Sequence, residues 1–398
     1  MWNVTKEARE RFEKCNLLPI HESDEEWETV IREAKEEGED LAASLREELE
    51  EVKEELLDIL PSRFIPYVLD GSLNQPTLPK AVRMDYVQWM QEADKEFEDI
   101  LDAASENTEQ AITCLSNSVQ SVLEESLHDT AIERIVREGE TIHLYLNTDG
   151  GFSTKSLIHL IFEGVKREVS DTSIQVEQWL IYYELQKRGE GFAFRALFDS
   201  PQAEWTITME NMEAEYYYRP KEYRHLREEE QLEEITLLEY IAMLDQDHSY
   251  WFITPHIECS ITSLSEGMAI EGGTVEIEKE QVVVTVGGKQ YTYDNEAMKG
   301  YIYTDNDEEI LHRYEEPLPF DEIEAAALGS DLERQVQAWN TMYANSEALQ
   351  DVINHVLAKV KVTDENEMMI EVYVNHFYHE GILTEDVTAL YQDLLEAE

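Results

Sequence analysis

The hydrophobic period of this chain changes at one place, and that change limits the folds open to it. Before His128, apolar residues recur every three to four positions, as in Leu45, Leu49, Val52, Leu56 and Ile59. From His128 they recur every second position, as in Thr141-Ile-His-Leu-Tyr-Leu146. The first spacing puts an apolar stripe along a helix, and the second puts alternate side chains on one face of a strand. Helices followed by short alternating runs predict an α+β fold, with the N-terminal helices packed on an antiparallel sheet.

Local signals place the elements. Ser23-Asp-Glu-Glu26 reads as a capping box, and Gly38 ends the helix that it opens. A second helix spans Leu41 to Leu60 and stops at Pro61. Two more are expected from Lys80 to about Ala103 and from Glu109 to Leu127. Strands are expected near Ala131–Arg137, Thr141–Asn147, Ser156–Val165, Ile174–Leu185, Gly191–Phe198 and Trp205–Tyr217. Asp149-Gly-Gly151 and Arg188-Gly-Glu-Gly191 supply turn glycines between them.

A second domain of helix, β-meander and helices is expected after Tyr217. Pro220 and the acidic run Glu228-Glu-Glu230 mark the joint, which divides the chain into residues 1–217 and 218–398. The first part splits into helices (1–127) and sheet (128–217). The second has a helix at Glu233–Met243 and a meander at about 250–304, turned by the Gly287-Gly288 hairpin. Its helical end covers 320–398, with helices at Asp331–Met342 and Ser346–Val360. Asp364-Glu-Asn-Glu367 opens another helix, which stops at Gly381, and Thr384-Glu385 opens the last. Tyr216-Tyr-Tyr218 and Tyr250-Trp-Phe252 are expected to pack, because rings of that size bury large areas.

Charge narrows the function. The chain carries 88 acidic and 31 basic residues, a net of −57. The excess is −24 over residues 1–200 and −33 over the remainder, so it is spread and is not an acidic tail. Binding to nucleic acid or to an anionic membrane needs a basic patch, so neither is expected. Residues 151–200 depart from the pattern, with 7 acidic and 6 basic residues. A near-neutral sheet segment in so acidic a chain is where a partner or a second copy is expected to dock, since like charges repel elsewhere.

Cys15, Cys114 and Cys259 are far apart and show no metal or disulfide spacing. The N-terminal residues are charged, and no apolar run reaches the roughly 20 residues of a membrane span. A cytoplasmic protein is expected.

Three groups could carry chemistry. His128-Asp129 lies where helix passes to sheet and is expected to be a structural junction that satisfies backbone groups. Neighbours on a strand point to opposite faces, so this pair need not interact. His376, His379 and Glu380 form a His-x-x-His-Glu cluster, a weak metal candidate that matches no established zinc motif. Asp305-Asn-Asp-Glu-Glu309 lacks the glycine and glutamate positions of a calcium loop and reads as an acidic loop. Phosphate-loop, dinucleotide and serine-elbow motifs are missing from the sequence. No cofactor is expected.

A series of motifs runs in order through the first half: Pro61-Ser-Arg-Phe-Ile-Pro-Tyr67, Asp70-Gly-Ser-Leu-Asn74, Gln88-Trp89, Leu127-His-Asp129, Gly150-Gly-Phe152, Phe162-Glu-Gly-Val165 and Leu197-Phe-Asp-Ser-Pro201. The series, to about Tyr217, resembles a Gram-positive bacterial family known as the domain of unknown function numbered 4085. The resemblance brings no activity, ligand or catalytic residue with it. The expected function is that of a non-enzymatic, acidic interaction protein that binds a basic protein or itself, on the plan of an immunity protein. The alternative is a metal-dependent hydrolase that uses the C-terminal His-x-x-His-Glu cluster.

Overall fold

The structure is a computed structural model describing residues 2–149, 151, 153–265, 267–278, 281–305, 317–329, 332–346, 348–363, 366–392 and 394–395. Its fold is α+β, in two compact units, Met1–Asp305 and Asn306–Glu398. No described helix is long and apolar enough to cross a membrane. The expected features at Gly150, Phe152, Asp331, Asp364-Glu365 and residues 306–309 lie outside the described residues.

The first unit opens with α1 (Lys6–Cys15), α2 (Asp24–Glu37), α3 (Leu41–Ile59) and α4 (Ile65–Leu69). The capping box of α2 is formed in both directions, and Gly38 ends the helix in the left-handed conformation at φ 78°. Next comes α5 (Lys80–Ile112), where a break was expected after Ala103. No glycine or proline interrupts residues 103–109, and Ala104, Thr108, Ala111 and Ile112 carry on the buried stripe of Ala93 and Phe97. The break falls instead before α6 (Asn117–Leu123).

The large sheet has eight strands where six were expected: β1 (Thr130–Glu138), β2 (Thr141–Asn147), β3 (Leu157–Glu163), β4 (Arg167–Ser170), β5 (Trp179–Arg188), β6 (Gly191–Asp199), β7 (Ala203–Met209) and β8 (Asn211–Tyr217). They are antiparallel, in the order β4-β7-β6-β5-β1-β2-β3-β8. The run expected as one strand from Trp205 to Tyr217 is two, β7 near one end of the sheet and β8 at the other edge. The sheet curls until they meet at Glu210, whose amide bonds Glu163 O at 3.0 Å. Two glycines allow that approach. A Cβ on Gly164 would fall 2.6 Å from Glu210 Cγ, and one on Gly191 would strike Met209 O.

Alternation decides the two faces. Ile142, Leu144, Leu146, Ile158, Leu160, Phe162, Phe194 and Trp205 enter one core with Val119, Val122 and Leu123 of α6. The opposite face carries His143, Tyr145, His159 and Glu215, then Glu184 and Arg195 farther along.

Beyond the large sheet lie α7 (Lys221–Glu228), α8 (Leu237–Met243), β9 (Tyr250–Ile253), β10 (Glu258–Ser263), β11 (Ala269–Ile270), β12 (Gly273–Ile277), β13 (Gln281–Val286), β14 (Lys289–Asp294), α9 (Asn295–Gly300) and β15 (Ile302–Thr304). They form a four-stranded sheet, β11-β10-β9-β15, and a three-stranded one, β12-β13-β14. Gly287 and Gly288, at φ 59° and 78°, turn the β13–β14 hairpin as expected.

The expected division at residue 217 marks the end of the large sheet, while the compact unit continues to Asp305. Tyr218 and Thr304 exchange backbone hydrogen bonds of 2.8 and 2.9 Å. Tyr145, Leu157 and Tyr217 share a buried cluster with Ile253 and Tyr303. Arg219, at the expected joint, is 5% exposed. It donates to Asp149 at 3.0 Å and lies 4.2 Å over the ring of Tyr303.

Among its described residues the second unit has α10 (Ile323–Ala327), α11 (Leu332–Ala344), α12 (Gln350–Leu357), α13 (Glu367–His379) and α14 (Glu385–Leu390). They pack around Trp339, Met342, Ile353, Val374 and Phe377.

Candidate functional site

The near-neutral window of the sequence folds into one side of a groove of about 620 Å³. Arg167, Val169, Ser170 and Asp171 come from β4 and the residue after it, Arg188 and Arg195 from β5 and β6, and Thr206 and Thr208 from β7. The other side is the N-terminal segment, with Trp2, Lys6 and Glu7.

That segment is held by a buried carboxylate. Glu184 has 0% exposure, and its oxygens accept the backbone N–H of Asn3 at 2.8 Å and of Val4 at 3.1 Å. They also accept the side-chain amides of Asn3 at 3.1 Å and of Asn107, on α5, at 2.8 Å. A buried carboxylate needs such a ring of donors. Val4 packs with Ala104 and Leu197, and Thr5 caps α1 by accepting from Ala8 N at 3.2 Å. Lys6 then donates its N–H to Glu204 at 3.2 Å and its ammonium to Asp171 at 3.1 Å.

These contacts set Trp2 against two guanidinium groups, Arg195 at 4.9 Å and Arg188 at 5.7 Å from its ring centre. Both are within cation–π range. Arg195 is anchored by Thr206 Oγ1 at 3.1 Å and Glu204 at 3.0 Å. Burial lowers its pKa, and Glu204 and Glu184 partly offset that. Burial likewise opposes charge on Asp171, but the Glu204 amide and Lys6 outweigh it and hold the carboxyl below its ordinary value.

The lining holds four cations, Lys6, Arg167, Arg188 and Arg195, against Glu7, Asp171 and Glu204. Among the described residues Arg167 and Arg188 form no ion pair with a carboxylate, and both are exposed. The arrangement suits an anionic group lying against a planar one. The charge count of residues 151–200 pointed to this region, but Trp2 and Lys6 reach it only through tertiary contacts.

His128 and Asp129 precede β1 and so escape the alternation that would separate them. Asp129 has φ 63°, and this left-handed turn brings its carboxylate 2.9 Å from His128 Nδ1. The Asp129 amide donates to Leu180 O at 2.9 Å, and the His128 amide to Ser126 Oγ at 3.2 Å. A Cβ on Gly151 would fall 2.8 Å from His128 O, so this glycine serves a close approach and not a positive-φ turn. His128 also lines a cavity of about 630 Å³ with Thr108, Tyr182 and Tyr183.

The C-terminal cluster is not gathered. His376 stacks on Tyr343 at 3.7 Å, while His379 and Glu380 are exposed at the end of α13. Among the described residues, the three do not bring ligand atoms within 4.8 Å of one another.

Fold and groove together define an α+β protein with a curled antiparallel sheet and, at one end, a groove lined by four cations and three carboxylates. The chain belongs to the family described as "Protein of unknown function (DUF4085)", whose model matches residues 4–209. The match takes in every groove residue except Trp2. No curated protein matches the chain.

Proposed function

We propose that the protein is a non-enzymatic interaction protein whose groove takes an acidic peptide segment of a partner, a second copy of the chain included. One observation carries this reading: Trp2 lies against Arg188 and Arg195, in a groove that Arg167 also lines, in a chain of net charge −57. Arg195 already spends its N–H edge on Thr206 and Glu204, so the exposed Arg167 and Arg188 are the groups left to hold a carboxylate. Elsewhere the acidic surface repels such a segment, which directs it to the groove. A cytoplasmic setting agrees with three free cysteines.

A second use, capture of a basic partner in the manner of an immunity protein, has support of its own. The face of α3 exposes Glu47, Glu48, Glu50, Glu51, Glu54, Glu55 and Asp58. The hydrolase alternative draws no support from the ungathered His376, His379 and Glu380.

The test is an anisotropy titration with a labelled capped peptide, Glu-Asp-Trp-Glu-Asp, at physiological salt. Saturable binding is expected, and Arg167→Glu with Arg188→Glu should weaken it at least about tenfold. Both arginines are exposed, so the melting temperature should hold. Absence of saturable binding, or equal binding by the variant, removes this reading.

A further inference from the structure

Away from the groove, the other end of the large sheet carries a polar row across four strands. Arg134 on β1 pairs with Tyr145 on β2, Tyr145 with His159 on β3, and His159 with Glu215 on β8. All four face away from the main core because they alternate with its apolar residues. The side chains interact along the row. The Arg134 guanidinium lies 5.4 Å from the Tyr145 ring centre. Tyr145 and His159 stack at 3.9 Å and 10°. His159 Nδ1 lies 3.0 Å from Glu215 Oε2. Glu258 reaches the same place from β10 of the second sheet and accepts the Tyr145 hydroxyl.

We propose that His159, Glu215 and Glu258 form a binding site for a divalent transition-metal ion, zinc or manganese, which clamps the large sheet to the second sheet. Each residue offers one ligand atom, and the three atoms lie within 4.8 Å of one another. One imidazole with two carboxylates suits these ions, and the exposure of Glu215 and Glu258 leaves room for water to complete the shell.

The second ring nitrogen of His159 makes this more than a chance grouping. With the ion on Nδ1, in place of the hydrogen bond to Glu215, Nε2 carries the proton. It then donates to His143 Nδ1, 2.9 Å away. Tyr145 in turn orients Glu258 through its hydroxyl and His159 through its face. Metal-binding histidines and carboxylates are held by outer hydrogen bonds of this kind. His159 is 3% exposed, so its ring is fixed before any ion arrives.

The test is calorimetric titration of the chelator-treated full-length chain with Zn²⁺ and Mn²⁺, with Ca²⁺ as control. About one tight site per chain is expected, with a rise in melting temperature on saturation. Glu215→Gln, Glu258→Gln and His159→Gln should each weaken the site at least about tenfold. Glu258 is exposed, so Glu258→Gln tests the site without disturbing the core. Weak uptake by many carboxylates alone, a tight site that survives Glu258→Gln, or one lost on His376→Ala but kept in Glu258→Gln would each overturn the proposal. The groove variant Arg167→Glu/Arg188→Glu should bind metal normally, so this result stands apart from the peptide experiment.

Discussion

Asp129 has φ 63°, a conformation that costs most L-residues about 1–2 kcal/mol and that aspartate tolerates better than alanine does. Its amide is fixed by Leu180 O and its carboxylate by His128. Asp129→Ala should therefore strain the backbone and remove the carboxylate's contact with His128 Nδ1. It should destabilise the first unit by about 1–2 kcal/mol, or a few degrees of melting temperature. Asp129→Gly removes the same carboxylate but relieves the strain, so its loss should be smaller. Peptide binding in the groove should be intact in both variants once corrected for the folded fraction. Equal losses in melting temperature would discard the backbone explanation. Wild-type stability with lost binding would make the junction a functional site.

At the scale of elements, the end of α6 is joined to the β2–β3 connection by one carboxylate. Glu125 accepts from Ser153 Oγ at 2.6 Å, from Thr154 N and Oγ1 at 2.8 Å, and from the Lys155 ammonium. Burial alone would raise its pKa, but Lys155, Ser153 and Thr154 more than offset this and hold it below the ordinary value. A carboxyl whose folded pKa is depressed adds stability above its unfolded value, about 4.3 for glutamate. That contribution is lost as pH falls from there through the lower folded value. Glu168 and Asp199, held down by Arg137 and Arg9 respectively, act in the same direction. Stability should thus fall as pH drops below about 4.3. Denaturant midpoints against pH should show a shallower acid limb in Glu125→Gln, and an unchanged slope would show that the clamp does not matter.

For the whole molecule, two expectations follow from charge and from division into units. Net −57 means strong self-repulsion, which salt screens over a Debye length of about 8 Å at physiological ionic strength. The melting temperature should rise from low to molar chloride, and a flat or falling curve would show that structure already compensates the acid. The second expectation concerns truncation. A chain ending at Asp305 keeps Ile253 and Tyr303 over Tyr145, Leu157 and Tyr217, and should melt cooperatively. One ending at Tyr217 uncovers that cluster and the edge of β8, and should aggregate or lose cooperativity. Equal behaviour of the two would restore a boundary at residue 217.

Much of this molecule was legible one element at a time. The capping box at Ser23–Glu26, the alternation of Thr141–Asn147 and the paired glycines at 287–288 are local signals, and each produced the expected element. Their information lies within a few residues, where backbone geometry and solvent exposure dominate. The split of Trp205–Tyr217 was not legible, because both halves alternate alike and only curling of the sheet sends them to opposite ends. Nor was the continuation of the first unit to Asp305, which depends on what covers Tyr145, Leu157 and Tyr217. The class of fold, the acidic excess and the near-neutral segment could be read before any tertiary contact was known, since these depend on composition and period. That Trp2 meets Arg188 and Arg195, and that His159 comes near Glu215 and Glu258, follows from the folded arrangement alone. Such sites join residues from distant parts of the chain, and their distances exist only once strand order is set.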